Sequence, residues 1–107
     1  MGKVNEYVDS VIAKNKVAVF SKTYCPYCDK AKQALNSFNI KPGALEVVEL
    51  DKRDDGNEIQ DYLAQLTGGR TVPRVFINGQ FIGGGDDTAR AKSNGSLEKK
   101  LTEIGAI

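Results

Sequence analysis

The sequence predicts an α/β fold, a small four-stranded mixed sheet flanked by about five helices. Three features predict it. Segments with helical spacing alternate with short strand-like runs along most of the chain. A helical segment separates the first two strands, so they should run parallel through a right-handed crossover. Asn78-Gly79, between two short apolar runs, marks an antiparallel hairpin. Helices on both faces are the economical cover for such a sheet.

Each element has its own signal. Val4, Val8, Val11 and Ile12 recur at helical steps, with Glu6, Asp9 and Lys14 opposite, and predict a helix over about 3–15. Lys16 to Phe20 is a β-branched and aromatic run, expected as a buried strand. Ala31, Ala34, Leu35 and Phe38 predict a second helix over about 26–38, with Pro26 tolerated in its first turn. Lys41-Pro42-Gly43 turns the chain into a second strand, Leu45 to Leu50. Asn57 is placed to cap a third helix, with Gln60 three residues on as in a capping box. Ile59, Tyr62, Leu63 and Leu66 are its apolar stripe, and Gly68-Gly69 stops it. Arg74 to Asn78 and Gln80 to Ile82 are the hairpin strands. Gly83 to Asp87 opens a short fourth helix, closed by Asn94-Gly95. Ser96 is placed to cap a last helix carrying Leu97, Leu101 and Ile104.

Residues 1–107 are expected to form one domain, without repeats or a linker. Hydrophobic residues make up 40% and charged residues 27%, as in an ordinary globular protein. The net charge of +1 gives no reason to invoke nucleic acid or an anionic membrane, both of which favour clustered basic charge. No apolar run approaches the roughly 20 residues that span a bilayer. The N-terminus lacks the apolar stretch of a signal peptide, so a reducing, cytoplasmic setting is expected. Gly2 lacks the serine or threonine that a myristoylation motif wants at the sixth position, which is Glu6. There is no histidine, so no Ser-His or Cys-His pair and no histidine-ligated metal is available.

The two cysteines, Cys25 and Cys28, sit where the first strand becomes the second helix. A structural disulfide over so short a loop would stabilise by only about 2 kcal/mol in the simple loop-closure model. Such bridges also belong to oxidising compartments. A zinc site wants four ligands, and this chain has two cysteines. A redox dithiol has a positive mechanism. Cys25 precedes a helix, whose free N–H groups and dipole favour an anion, and Lys22 adds positive charge three residues upstream. Both effects lower a thiol's pKa and raise the thiolate, which is the nucleophile. Cys28, one turn into the helix, should be more buried and act as the resolving thiol.

Two further segments carry weaker signals. Thr71-Val72-Pro73 precedes a strand. A cis Val72–Pro73 bond would leave the Val72 backbone free to pair with an extended peptide, although a trans proline at a strand start is the commoner case. Gly83 to Asp87 lets backbone N–H groups approach a carboxylate, or lets Asp86 and Asp87 hold an ammonium group. Taken alone, a turn with an aspartate cap is the commoner case. Asp51 to Gly56 resembles the start of a calcium loop but fails it, with Arg53 at the third position and Tyr62 at the twelfth.

Together, Cys25-Pro-Tyr-Cys28, Thr71-Val-Pro73 followed by Arg74-Val-Phe-Ile-Asn-Gly, and Gly83-Gly-Gly-Asp-Asp87 resemble a dithiol glutaredoxin over essentially the whole chain. The resemblance implies a thioredoxin fold with sheet order 2-1-3-4, a cis Pro73, and glutathione as cosubstrate with no tightly bound cofactor. It implies that Lys22, Gln60 and Thr71 lie near the glycine carboxylate of glutathione. Val72 would pair with the cysteinyl backbone. Gly85, Asp86 and Asp87 would hold the γ-glutamyl end, and Tyr27 would line the groove. Position 85, a further cysteine in some vertebrate relatives, is glycine here.

The implied activity is reduction of protein–glutathione mixed disulfides by Cys25 alone, and of protein disulfides by Cys25 with Cys28. The expected partners are glutathione and proteins carrying such disulfides, acting on a monomer. An alternative of another class is a [2Fe–2S] module, in which two copies each give Cys25 and two glutathiones complete the ligands. Resemblance disfavours it because proline follows Cys25. A thioredoxin is disfavoured by the absence of tryptophan and of a Trp-Cys-Gly-Pro-Cys motif.

Overall fold

The computed structural model describes residues 2–107. Helix α1 spans Lys3–Lys14, strand β1 Val17–Ser21, helix α2 Pro26–Asn36 and strand β2 Leu45–Glu49. A 3₁₀ turn at Leu50–Lys52 leads to helix α3, Gly56–Thr67. Strands β3, Arg74–Ile77, and β4, Gln80–Gly83, precede helices α4, Gly85–Ser93, and α5, Ser96–Glu103. The sheet order is β2-β1-β3-β4. Strand β1 is parallel to β2 and antiparallel to β3, which is antiparallel to β4. This is a thioredoxin fold, as the motif resemblance implies.

All five residues of β1 are buried. A strand covered on both faces reads as a continuous apolar run, because alternate side chains enter opposite layers. Val17 and Val19 pack with Ala31, Ala34 and Leu35 of α2 and with Leu97 and Leu101 of α5. Ala18 and Phe20 face the other layer, against Val8 and Val11 of α1 and Ile59 and Leu63 of α3. The Phe20 ring meets Phe76 edge to face at 5.8 Å, an arrangement that adds about 0.5–1.5 kcal/mol to area burial. Both faces of β1 are thus held, and its C-terminal end delivers the chain rigidly to Cys25.

The hairpin follows its sequence signal. Asn78 and Gly79 have φ of 53° and 80°, the pair of left-handed residues that a type I′ turn requires. Gly68, at φ 83°, closes α3.

Several element ends differ from expectation. Helix α2 ends at Asn36, and Phe38 packs from the following turn. Lys16 stands outside β1, its carbonyl accepting the Asn78 N–H at 2.8 Å. Leu50 leaves β2 to begin the 3₁₀ turn. Asn57 does not cap α3; the helix begins one residue earlier, behind Asp55, whose carboxylate is taken by Arg53 at 2.8 Å. Ser96 does not cap α5 either. Gly95 occupies the cap position, and the Asn94 side chain accepts the Ser96 N–H at 2.9 Å.

Candidate active site

The site is built where three chain segments meet: the β1–α2 loop, the loop before β3, and the start of α4. Cys25 is the N-cap residue of α2, with extended backbone. Its sulfur accepts the Cys28 N–H at 3.2 Å, so the helix start is capped by the thiol itself. Pro26 fills the first helical position, where its lack of an N–H leaves no bond unmade. The Cys25 thiol also lies 3.7 Å from the Val72 carbonyl oxygen.

The two sulfurs occupy different environments. Cys25 is partly exposed and Cys28 is buried, and both are free thiols. Burial pushes the Cys28 thiol up to about 11. Its hydrogen bond with Cys25 adds to the rise, while the Lys22 backbone and the Ser21 hydroxyl oppose it. Cys28 is therefore a protonated thiol at neutral pH. One sulfur is reachable from solvent and the other waits beneath it.

The Val72–Pro73 peptide is cis. A groove of about 460 Å³ runs beside it, lined by Tyr27, Thr71, Val72, Pro73, Gly85, Asp86 and Asp87, together with Arg74 and Gly84. Most of the residues singled out in the sequence thus share one wall-to-wall space. Lys22 and Gln60 line a smaller polar cavity of about 200 Å³ with Tyr24, Asp51 and Asn57. The Gln60 amide is buried and donates to the Arg70 carbonyl at 2.9 Å, which ties α3 to the loop before Thr71. It takes no part in a capping box.

The start of α4 presses against α2. A Cβ on Gly85 would collide with the Tyr27 carbonyl oxygen. Asp86 is paired with Lys30 of α2 at 2.6 Å. Asp87 accepts the Gly84 N–H at 3.0 Å and an Arg90 N–H at 3.1 Å. These bonds, the first above all, hold its carboxyl below the usual carboxylate range.

Two contributors lacked a local signal in the sequence. Arg74 donates to the Thr71 carbonyl and hydroxyl, both at 2.7 Å, and lies over the Phe81 ring at 5.1 Å. It braces the segment that carries Val72. Asp51 accepts the Thr23 N–H at 3.0 Å and also the Thr23 hydroxyl, which clamps the loop two residues before Cys25. Among the described residues, no three His, Cys, Asp or Glu side chains gather as a metal site. Nor is any helix among them long and apolar enough to cross a membrane.

A family model described as Glutaredoxin matches residues 17–82, from β1 through the cis proline to β4. The chain belongs to the glutaredoxin family. It is 45% identical to glutaredoxin-1 of Rhizophagus irregularis over 97% of this chain and all of that protein. It is 48% identical to human glutaredoxin-1, covering 95% of this chain and 96% of that one. Among solved structures, oxidized glutaredoxin 2 of Chlamydomonas reinhardtii superposes with a TM-score of 0.90 at 59% identity, over 97% of this chain and 95% of that one. A buckwheat glutaredoxin–glutathione complex superposes at 0.89 and 40% identity, over 97% and 92%. Membership makes the protein a thiol–disulfide oxidoreductase, and Cys25 and Cys28 are two cysteines spaced as CxxC in a thioredoxin fold.

Proposed function

We propose that the protein uses glutathione to reduce protein–glutathione mixed disulfides through Cys25 alone, and protein disulfides through Cys25 and Cys28. The observation that carries this is the unequal pair: Cys25 partly exposed at a helix start, Cys28 buried one turn behind with its pKa pushed up to about 11. The Cys25 sulfur attacks the glutathione sulfur of the mixed disulfide and the protein thiol leaves. A second glutathione then releases oxidised glutathione and restores Cys25. On a protein disulfide, Cys25 attacks one sulfur to form a mixed disulfide, Cys28 then attacks Cys25 and frees the substrate thiol, and glutathione reduces the resulting Cys25–Cys28 bond.

Glutathione would lie in the groove beside Pro73. The backbone of Val72 would pair with its cysteinyl residue as an added strand. Lys22, Gln60 and Thr71 would receive the glycine carboxylate, and Gly85, Asp86 and Asp87 the γ-glutamyl end, with Tyr27 along the side. Support comes from the groove that Tyr27, Thr71 to Pro73 and Gly85 to Asp87 share, which Lys22 and Gln60 do not line, and from the related buckwheat protein, whose structure is a glutathione complex. We assign a monomer acting in a reducing, cytoplasmic setting, where free thiols persist.

A coupled assay with glutathione, glutathione reductase and a small glutathione mixed disulfide tests this, run beside a thioredoxin reductase assay. Activity only in the second would sink glutathione dependence. Cys25→Ser should abolish both activities, whereas Cys28→Ser should lose most reduction of protein disulfides and keep turnover of glutathione mixed disulfides. Loss of both activities in Cys28→Ser would overturn the division of roles. Lys22→Ala should raise the Michaelis constant for glutathione.

A further inference from the structure

Three large hydrophobic side chains are well exposed among the described residues: Tyr24 at 70%, Tyr27 at 55% and Leu66 at 46%. Scattered singly, such side chains are ordinary. Two of these three adjoin the reacting sulfur, Tyr24 immediately before Cys25 and Tyr27 two residues after it. Tyr27 is a wall of the groove beside Pro73. Leu66 lines a separate pocket with Ile12 and Phe81. The Tyr24 ring packs into neither core cluster. Being exposed, it stands at the mouth of the polar cavity that Lys22 and Gln60 line.

The chain beneath this ring is fixed on both sides. The Thr23 N–H donates to Asp51 at 3.0 Å, and the Cys25 N–H donates to the Lys22 carbonyl at 3.2 Å. Tyr24 lies between these bonds, so its ring projects from a stiff base and loses little freedom when something covers it. The reaction sets what that is. A disulfide exchanging with Cys25 carries a chain on each of its sulfurs. With glutathione in the groove, the polypeptide on the other sulfur meets the rest of the rim, where Tyr24 is the exposed apolar side chain. The charges around this cavity are mixed, Lys22 and Arg53 against Asp51 and Asp54, so they select neither sign of partner. The ring remains as the selective surface, with a large apolar face and few rotatable bonds.

We propose that Tyr24 is a specificity residue for the polypeptide side of the substrate: its ring covers an aliphatic or aromatic side chain next to the glutathionylated cysteine. The proposal rests on the reading above, in which Cys25 attacks the glutathione sulfur and glutathione lies beside Pro73. In that step the bond between Cys25 and the glutathione sulfur forms, and the bond from glutathione to the substrate sulfur breaks. The electron pair leaves with the substrate sulfur, which takes up a proton. One disulfide replaces another, and glutathione is the reductant that later restores Cys25. The ring takes no part in the bonds that change. It favours substrates whose cysteine has an apolar neighbour, by holding the polypeptide while the sulfurs align.

Two glutathionylated pentapeptides test this, one with leucine and one with glycine on both sides of the modified cysteine. Each is reduced in the coupled assay with glutathione and glutathione reductase. The parent should show a kcat/KM about fivefold higher on the leucine peptide, the worth of a partly buried apolar side chain. Tyr24→Ala should bring the two peptides to equal kcat/KM, and Tyr24→Phe should keep the parent's preference. The side chain is exposed, so both variants should fold as the parent does. A parent without the preference, or a preference undiminished in Tyr24→Ala, would overturn the proposal. Equal loss in Tyr24→Phe would overturn it too, by placing the contact on the hydroxyl. The cysteine–glutathione disulfide, which has no flanking residues, is the control. A parent that turns over neither it nor the peptides would instead refute glutathione-dependent reduction, and the role of Tyr24 with it.

Discussion

Lys30 on α2 reaches Asp86 at the first turn of α4, Nζ to Oδ1 at 2.6 Å. The pair bridges two helices at the rim of the groove, and both side chains are about half exposed. An exposed pair of this kind contributes little to stability. It matters instead as competition. An ammonium group seeking Asp86 meets a carboxylate that already has a cation.

Lys30→Ala should therefore lower the Michaelis constant for a glutathione mixed disulfide about twofold, in keeping with the modest strength of exposed pairs. The difference from the parent should shrink as salt is raised, because exposed charges are screened. Steady-state kinetics at two ionic strengths decide it. A raised constant would mean that Lys30 attracts the ligand rather than competing with it.

Asp87 holds both the Gly84 N–H and Arg90, so Asp87→Ala removes a helix-start partner from α4. The expected loss is about 1 kcal/mol at neutral pH. The carboxyl's pKa is lowered by folding, so its contribution is present above the ordinary aspartate pKa and disappears as pH falls below it. Urea midpoints of parent and variant should be farther apart at pH 7 than at an acid pH below the usual carboxylate range. Equal separation at both values would show that packing, not charge, holds α4.

Arg74 forms a two-point bond to Thr71 that a lysine cannot reproduce. Arg74→Ala and Arg74→Lys should both raise the Michaelis constant, by about fivefold if one ordinary hydrogen bond's worth of order, about 1 kcal/mol, is lost. Full rescue by lysine would show that only charge matters at this position.

Burial sets the pH behaviour of Cys28. Its folded pKa of about 11 lies above the model-compound value of 9.0. An acid whose pKa is raised by folding leaves stability untouched below its unfolded pKa and erodes it above. The reduced protein should lose about 2 kcal/mol between roughly pH 9 and pH 11 from this group. Cys28→Ser should lack that share of the decline. Parallel pH curves for parent and variant would contradict the raised value.

What the sequence disclosed and what it hid divide along chain distance. The strand-to-helix junction at Cys25, the Asn78-Gly79 turn and the Gly68 stop are local patterns, and each lies where its spacing put it. The caps at Asn57 and Ser96 are equally local inferences, yet Asp55 and Gly95 hold those positions. Arg74 reads only as the opening of a strand, because its partner Thr71 becomes reachable once the chain bends at Pro73. The clamp of Thr23 by Asp51 spans 28 residues and has no sequence period at all. The sheet order and the shared groove came from matching motifs as a set, since no single motif states what lies beside it in space.

The cap of α2 is also the reacting atom. A sulfur locked in a disulfide is a poorer acceptor than a thiolate, so each chemical step alters the bond that anchors the helix. The Cys28 amide is consequently a built-in reporter. Its hydrogen exchange should quicken when Cys25 is glutathionylated and slow again on reduction, making the redox cycle visible as a breathing of one helical turn.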